Sequence, residues 1–182
     1  MSDLEELSFR LETLSELDRH SFTACQIASI AMTCRKLFSE QVSEVLFKTF
    51  AKAFAKRLVK LYSSEWKIKS WTPQLVADAL GDLERRIDGD CRMEIANGSK
   101  IIMKLTRCPF GNELAQSTGG SLCQIEKHIS GAIVENASIP VRRLTLDTSI
   151  GRGDDSCLIV IELAGEKKEH VAVPVGIGKR EF

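Results

Sequence analysis

The chain has 182 residues, a formal net charge of zero, 43% hydrophobic residues and 27% charged ones. These proportions describe a globular protein and exclude a disordered or collagen-like one, and the neutral balance argues against a surface built for nucleic-acid phosphates. No apolar run approaches the roughly 18 residues of a membrane span, and no secretory signal pattern opens the chain, so we expect a cytoplasmic protein with neither membrane nor nucleic acid as partner.

In chain order, Leu4, Leu7, Leu11 and Leu14 recur at 3-4-3 spacing with glutamates between them. This predicts a short helix whose leucine seam docks on another helix, in a second copy of the chain or in the same one. His20 should close it. A second helix is expected over roughly 22–37. Its Cys25 and Cys34 lie nine apart, about 180° around the helix, so they cannot face one site and read as buried thiols.

A third helix begins behind Ser39 as N-cap. Val42, Val45, Leu46, Thr49, Phe50, Ala53, Phe54 and Leu58 form a continuous apolar stripe predicted to face the core. Lys48, Lys52, Lys56 and Lys60 make an i, i+4 row, read as a solvated face. Thr72-Pro73 opens a fourth helix with Leu75, Ala79, Leu83 and Ile87 as its buried positions and Gly89 at its end. No recognition helix follows within a turn, so a helix-turn-helix is not expected.

After Gly89 the period changes to alternation. A three-residue loop at Asn97-Gly98 pairs Ile95 with Ile101 and Met93 with Met103, keeping the two faces of a hairpin separate, with Gly98 left-handed. Cys108-Pro109-Phe110-Gly111 ends the hairpin, because proline lacks the ladder donor. A helix should run from about Ser121 to Asn136 with Leu122, Ile125, Ile129 and Ile133 inward and Gly131 marking close approach to a strand. Strands follow at Val141–Asp147, Cys157–Leu163 and His170–Val175. The expected class is α+β: an N-terminal helical layer followed by an antiparallel sheet with one late helix.

The chemistry concentrates on cysteine. Six cysteines in a reducing compartment read as free thiols, metal ligands or redox groups, not a disulfide framework. Cys108, Cys123 and Cys157 each stand beside a turn or helix start. Converging thiolates would bind zinc or an iron–sulfur cluster; the alternative is three separate buried thiols. Glu126 shares the helical face of Cys123, and Asp155 shares the face of Cys157 if the strand begins there. His128 falls about 140° from Cys123, on the wrong side. A nucleophilic Cys123 at a helix N-terminus is a further possibility, but His20, His128 and His170 form no motif that supplies a base. Arg152-Gly153-Asp154 reads as a turn.

The stretch from about Met93 to Leu163 resembles the small-ligand sensory domains of the vinyl-4-reductase type and, more nearly, the methanogen output domain. The resemblance rests on Cys108-Pro109-Phe110-Gly111, on Leu122-Cys123 with Gly131 downstream, and on Gly153-x-x-x-Cys157 running into an apolar strand. The same pattern resembles the C-terminal half of iron–sulfur-responsive repressors. It implies a sensor that dimerises through N-terminal helices and carries metal-binding cysteines beside an apolar effector pocket. Carried across, Cys108, Cys123 and Cys157 become the metal-ligand candidates; Phe110, Glu126 and Asp155 are the residues expected to form the ligand pocket. One departure is that Thr148-Ser149-Ile150 stands where many such domains have a further cysteine, which removes a fourth thiolate.

The chain then divides into a dimerisation helix over 1–20 and a single α+β sensory domain over 21–182, with its cysteine-bearing core at 91–175. The function expected is a regulatory domain, most economically a homodimer, that binds a metal or small-molecule effector through a cysteine-lined site and signals to a protein partner. The alternative is a small-molecule hydrolase with a cysteine nucleophile.

Overall fold

The computed structural model describes residues 19–164. The leucine seam of 4–14, the strand expected at 170–175 and His170 lie outside the described residues. Three helices come first: α1 (Arg19–Leu37), α2 (Glu40–Glu65) and α3 (Pro73–Arg86). The hairpin β1 (Asp90–Ala96) and β2 (Lys100–Arg107) follows, then a short α4 (Asn112–Ser117) and a long α5 (Ser121–Asn136). The strands β3 (Val141–Thr148) and β4 (Cys157–Leu163) flank a 3-10 turn at Ile150–Arg152. The class is the expected one, an α+β fold of helical layer and antiparallel sheet, with α4 an addition. His20 falls within α1, and the helix it was expected to close lies outside the described residues.

Local signals act as their chemistry requires. The Ser39 and Thr72 hydroxyls accept from the backbone N–H of Val42 and Leu75 at 3.4 and 3.2 Å, capping α2 and α3, and Pro73 sits in the first turn of α3, where its missing N–H costs nothing. The hairpin pairs Met93 with Met103 and Ile95 with Ile101. Both Asn97 and Gly98 take positive φ, 53° and 65°, as a tight loop of this length demands.

The sheet order is β1-β2-β4-β3, every pair antiparallel. Ile101, Met103 and Leu105 of β2 and Ile159 and Ile161 of β4 turn the same way into the core. Helix α5 is buried on nearly every side, between the sheet and α2. Gly131 makes this possible, since a Cβ there would stand 2.6 Å from Leu144 Cδ2 in β3.

Helix α2 is rotated from the expected orientation. Its buried face is Ser43, Phe47, Ala51, Ala55 and Val59. Val42, Val45, Leu46, Phe50 and Phe54, the stripe expected in the core, are between 38% and 62% exposed. The small side chains let α2 lie close along α5, and the bulkier apolar set is turned outward as a consequence. Similarly, α1 packs through Ala24, Ala28 and Ala31, leaving Cys25 exposed and Cys34 half-buried where both were expected buried. Helix α3 meets both β1 and α5, so its buried face is wider than one stripe and takes in Val76, Leu80 and Glu84.

Candidate functional site

Cys123 lies in the first turn of α5 and Cys157 is the first residue of β4. The packing of α5 on the sheet brings their Sγ atoms to 3.6 Å, with Cys157 as donor. The loop between β3 and β4 closes over them. The Ile150 N–H donates to Cys157 Sγ at 3.3 Å, while Asp154 Oδ2 accepts from the Ser149 N–H at 2.7 Å and holds the loop folded. Gly151 is required here because a Cβ would fall 2.5 Å from Gly120 Cα and 2.8 Å from the Ala115 carbonyl oxygen.

This cradle separates the two thiols chemically. The bond from Cys157 lowers Cys123 to about 6 against the opposing effect of burial, with help from the Ser149 hydroxyl, the Gly151 N–H and the nearby Arg152 charge. Cys157, the donor beside that thiolate, is pushed upward by the same bond and by burial. Cys123 is therefore the more acidic sulfur of the pair and Cys157 the less acidic one. Ser149, Gly151 and Arg152 were not expected as site residues; they are chemically ordinary, and only the turn brings them to the sulfur.

Cys108 directly follows β2, its N–H donating to Asn112 Oδ1 at 2.8 Å. Burial pushes its thiol up to about 12, and it is near enough to sense the charge of Cys123. Among the described residues no group of three His, Cys, Asp or Glu side chains is placed to hold a metal ion. The donor set of Cys108, Cys123 and Cys157 thus fits a thiol pair with a third sulfur nearby better than it fits a zinc or iron–sulfur centre. His128 faces away from the sulfurs, as its helical phase required. It stands 3.6 Å from Glu44 of α2 and burial depresses it to about 4, so it is neutral.

A second feature lies between α1, α2, α3 and α5. A cavity of about 160 Å3 is lined mainly by Ile27, Phe50, Phe54, Phe110, Ile129 and other apolar side chains, with Glu126 in its wall. Phe110 and Glu126 both line it. Asp155 does not join them: β4 begins only at Cys157, so Asp155 sits exposed in the preceding bend. An adjoining apolar cavity of about 210 Å3 shares Ile27 and Phe50.

Glu126 is 5% exposed and accepts from the Ser130 hydroxyl at 3.3 Å. Behind it stands Glu84 of α3, fully buried, its carboxyl facing that of Glu126 and without another partner among the described residues. Burial, and then the neighbouring Glu126 charge, push Glu84 up to about 10. Burial raises Glu126 too, although the bonds from Glu84 and Ser130 act in the opposite direction. At neutral pH the pair therefore holds at least one proton. Glu84 was missed in the sequence, yet a signal existed: it falls four residues after Leu80, on an otherwise apolar face.

The family model for methanogen output domain 1 matches residues 27–162. The chain belongs to the methanogen output domain 1 family. An output domain is by description a signalling module, and the match runs from within α1 into β4. No curated protein matches the chain. Among solved structures, it is similar to subunit 3 of the trafficking protein particle complex from Naegleria fowleri, covalently bound to palmitic acid, at 11% identity over 80% of this chain and 95% of that one, with a TM-score of 0.65. It is also similar to the H-NOX domain of Shewanella oneidensis in its Fe(II)CO ligation state, at 14% identity, 80% and 78% coverage and a TM-score of 0.58. The phenol-responsive sensory domain of the transcription activator PoxR, solved with phenol, gives 9%, 77%, 74% and 0.57. At such identities the likeness is one of fold.

Proposed function

We propose that this output domain is a sensory module that takes a small, mostly apolar effector into the cavity between α1, α2, α3 and α5. The observation that carries the reading is an apolar cavity with one buried carboxyl in its wall, the usual composition of a small-molecule site. Its volume is close to the roughly 150 Å3 that suffices for benzene in an engineered apolar cavity. The PoxR domain, solved with phenol, shares the fold and lends support.

The signal would leave through α2. Phe50 and Phe54 both line the cavity and belong to the exposed apolar face that continues through Val45 and Leu46. An effector that repacks these rings alters the surface a partner protein meets. That partner is most economically a second copy, with residues 1–20 adding their leucine seam to a sensory domain over 21–182 in the cytoplasm. No described helix is long and apolar enough to cross a membrane.

Titration with toluene, followed by calorimetry and by chemical shifts of Ile27, Phe50 and Ile129, tests the cavity. Saturable binding abolished by Ile129→Trp is expected; no binding in the unaltered protein would refute the effector reading. A metal-centred sensor would instead hold stoichiometric zinc or iron after purification without oxygen and lose it on Cys123→Ser. The hydrolase alternative has the depressed Cys123 thiol on its side. It requires selective labelling of Cys123 by an electrophilic probe, although the residue is 2% exposed and His128 stands beside Glu44.

A further inference from the structure

The cavity wall is electrically one-sided. Glu126 is its ionisable lining residue, and no Lys, Arg or His lines it among the described residues. Among the described residues, the titratable groups that interact with the Glu126 carboxyl are Glu84 on α3, Cys123 on its own helix, Cys91 on β1 and Cys108 just past β2, every one an acid. From α1 and α2 the cavity receives Thr23, Ala24, Ile27, Phe50 and Phe54, none of them ionisable. Glu126 accepts from Ser130, and Glu84, when protonated, supplies a second donor. An ionised Glu126 is thus hydrogen-bonded but faces no positive charge among the described residues, and burial shifts its carboxyl upward.

The same wall contributes three phenylalanines, Phe50, Phe54 and Phe110, with the first two stacked at a centroid separation of 6.0 Å. Aromatic rings beside a carboxylate are the surroundings that stabilise an organic cation, through the ring quadrupoles and the ion pair together. We propose that the cavity binds an organic ammonium: a primary amine on an apolar body of about one aromatic ring, its N–H groups donating to Glu126 among Phe50, Phe54 and Phe110. This rests on the effector-cavity reading and gives it a ligand class. A carboxylic acid of the same size would meet like charge, and an alcohol would fill the donor position while leaving the missing charge unsupplied.

Three probes of nearly equal size separate head group from cavity: benzylamine, benzyl alcohol and toluene, measured by calorimetry on the full chain at about pH 8. Benzylamine should bind about tenfold or more tightly than benzyl alcohol. Glu126→Gln should bring those two within about threefold and leave toluene unchanged. Glu84→Gln should keep the amine preference, because its amide N–H still donates to Glu126. Toluene or benzyl alcohol binding as well as benzylamine to the unaltered protein would overturn the proposal while leaving the effector cavity standing. Failure of all three probes would remove both. The ranking in the unaltered protein decides even if Glu126→Gln does not fold.

Discussion

Cys157 donates to Cys123 across 3.6 Å, tying the first turn of α5 to the first residue of β4. The contact makes one sulfur of the pair acidic at the expense of the other. Thiolate absorbance in the ultraviolet should therefore titrate with one midpoint at about 6, absent in Cys123→Ser. Cys157→Ala should move that midpoint upward, since it deletes the strongest of the stabilising bonds. Because the folded value lies below the roughly 8.5 of an unfolded cysteine, this group adds stability above the unfolded value and loses it as pH falls through about 6. The melting-temperature advantage of the unaltered protein over Cys123→Ser should shrink across that interval. A midpoint near 8.5 would contradict the assignment.

Glu84 has the opposite sign. Its folded value of about 10 exceeds the roughly 4.3 of a free glutamate, so its contribution is fully present below about pH 4.3 and declines as pH rises toward about 10. Near pH 8 the unfolded chain gains by ionising a group that the folded chain must keep protonated. Glu84→Gln should then stabilise the protein by about 1–3 kcal/mol, or several degrees in Tm, and the gain should vanish near pH 4. Thermal unfolding at the two pH values checks it; a destabilised variant near pH 8 would contradict the upward shift of Glu84.

Gly151 meets backbone on both sides, Gly120 Cα and the Ala115 carbonyl, and neither can swing away as a side-chain tip would. Gly151→Ala should cost about 2–3 kcal/mol by denaturant unfolding. Its N–H also supports the Cys123 thiolate, so the same variant should raise the sulfur's midpoint. Loss of stability with an unchanged midpoint would separate the glycine's packing role from its electrostatic one.

Val45 is 62% exposed at the centre of the outward face of α2. If that face docks a second copy, Val45→Asp should shift sedimentation from dimer to monomer with little change in Tm, since surface substitutions usually alter stability by about 0.5 kcal/mol or less. A monomeric unaltered protein would end the homodimer reading.

Element types and boundaries were largely legible because they depend on neighbours within a turn or two. Ser39 and Thr72 act through an N–H three residues away, the loop at Asn97-Gly98 needs positive φ, and the hairpin register follows from keeping Ile95 and Ile101 on one face. Gly131 also declared itself, as a residue without a side chain inside an otherwise bulky helix.

The choice of which face of α2 is buried was not local. Two faces carried apolar residues, and the alanine side won because it allows closer approach to α5, a comparison that exists only once both helices are present. The functional groups follow the same division. Cysteine as the site's element was readable from spacing beside turns. That Cys123 and Cys157 touch, that the loop at 149–154 feeds donors to one of them, and that Glu84 meets Glu126 depend on residues 34 and 42 positions apart in the chain. The hydrogen bonds and burial that set the acidity of these groups belong to the packed assembly of helices and sheet and to no segment by itself.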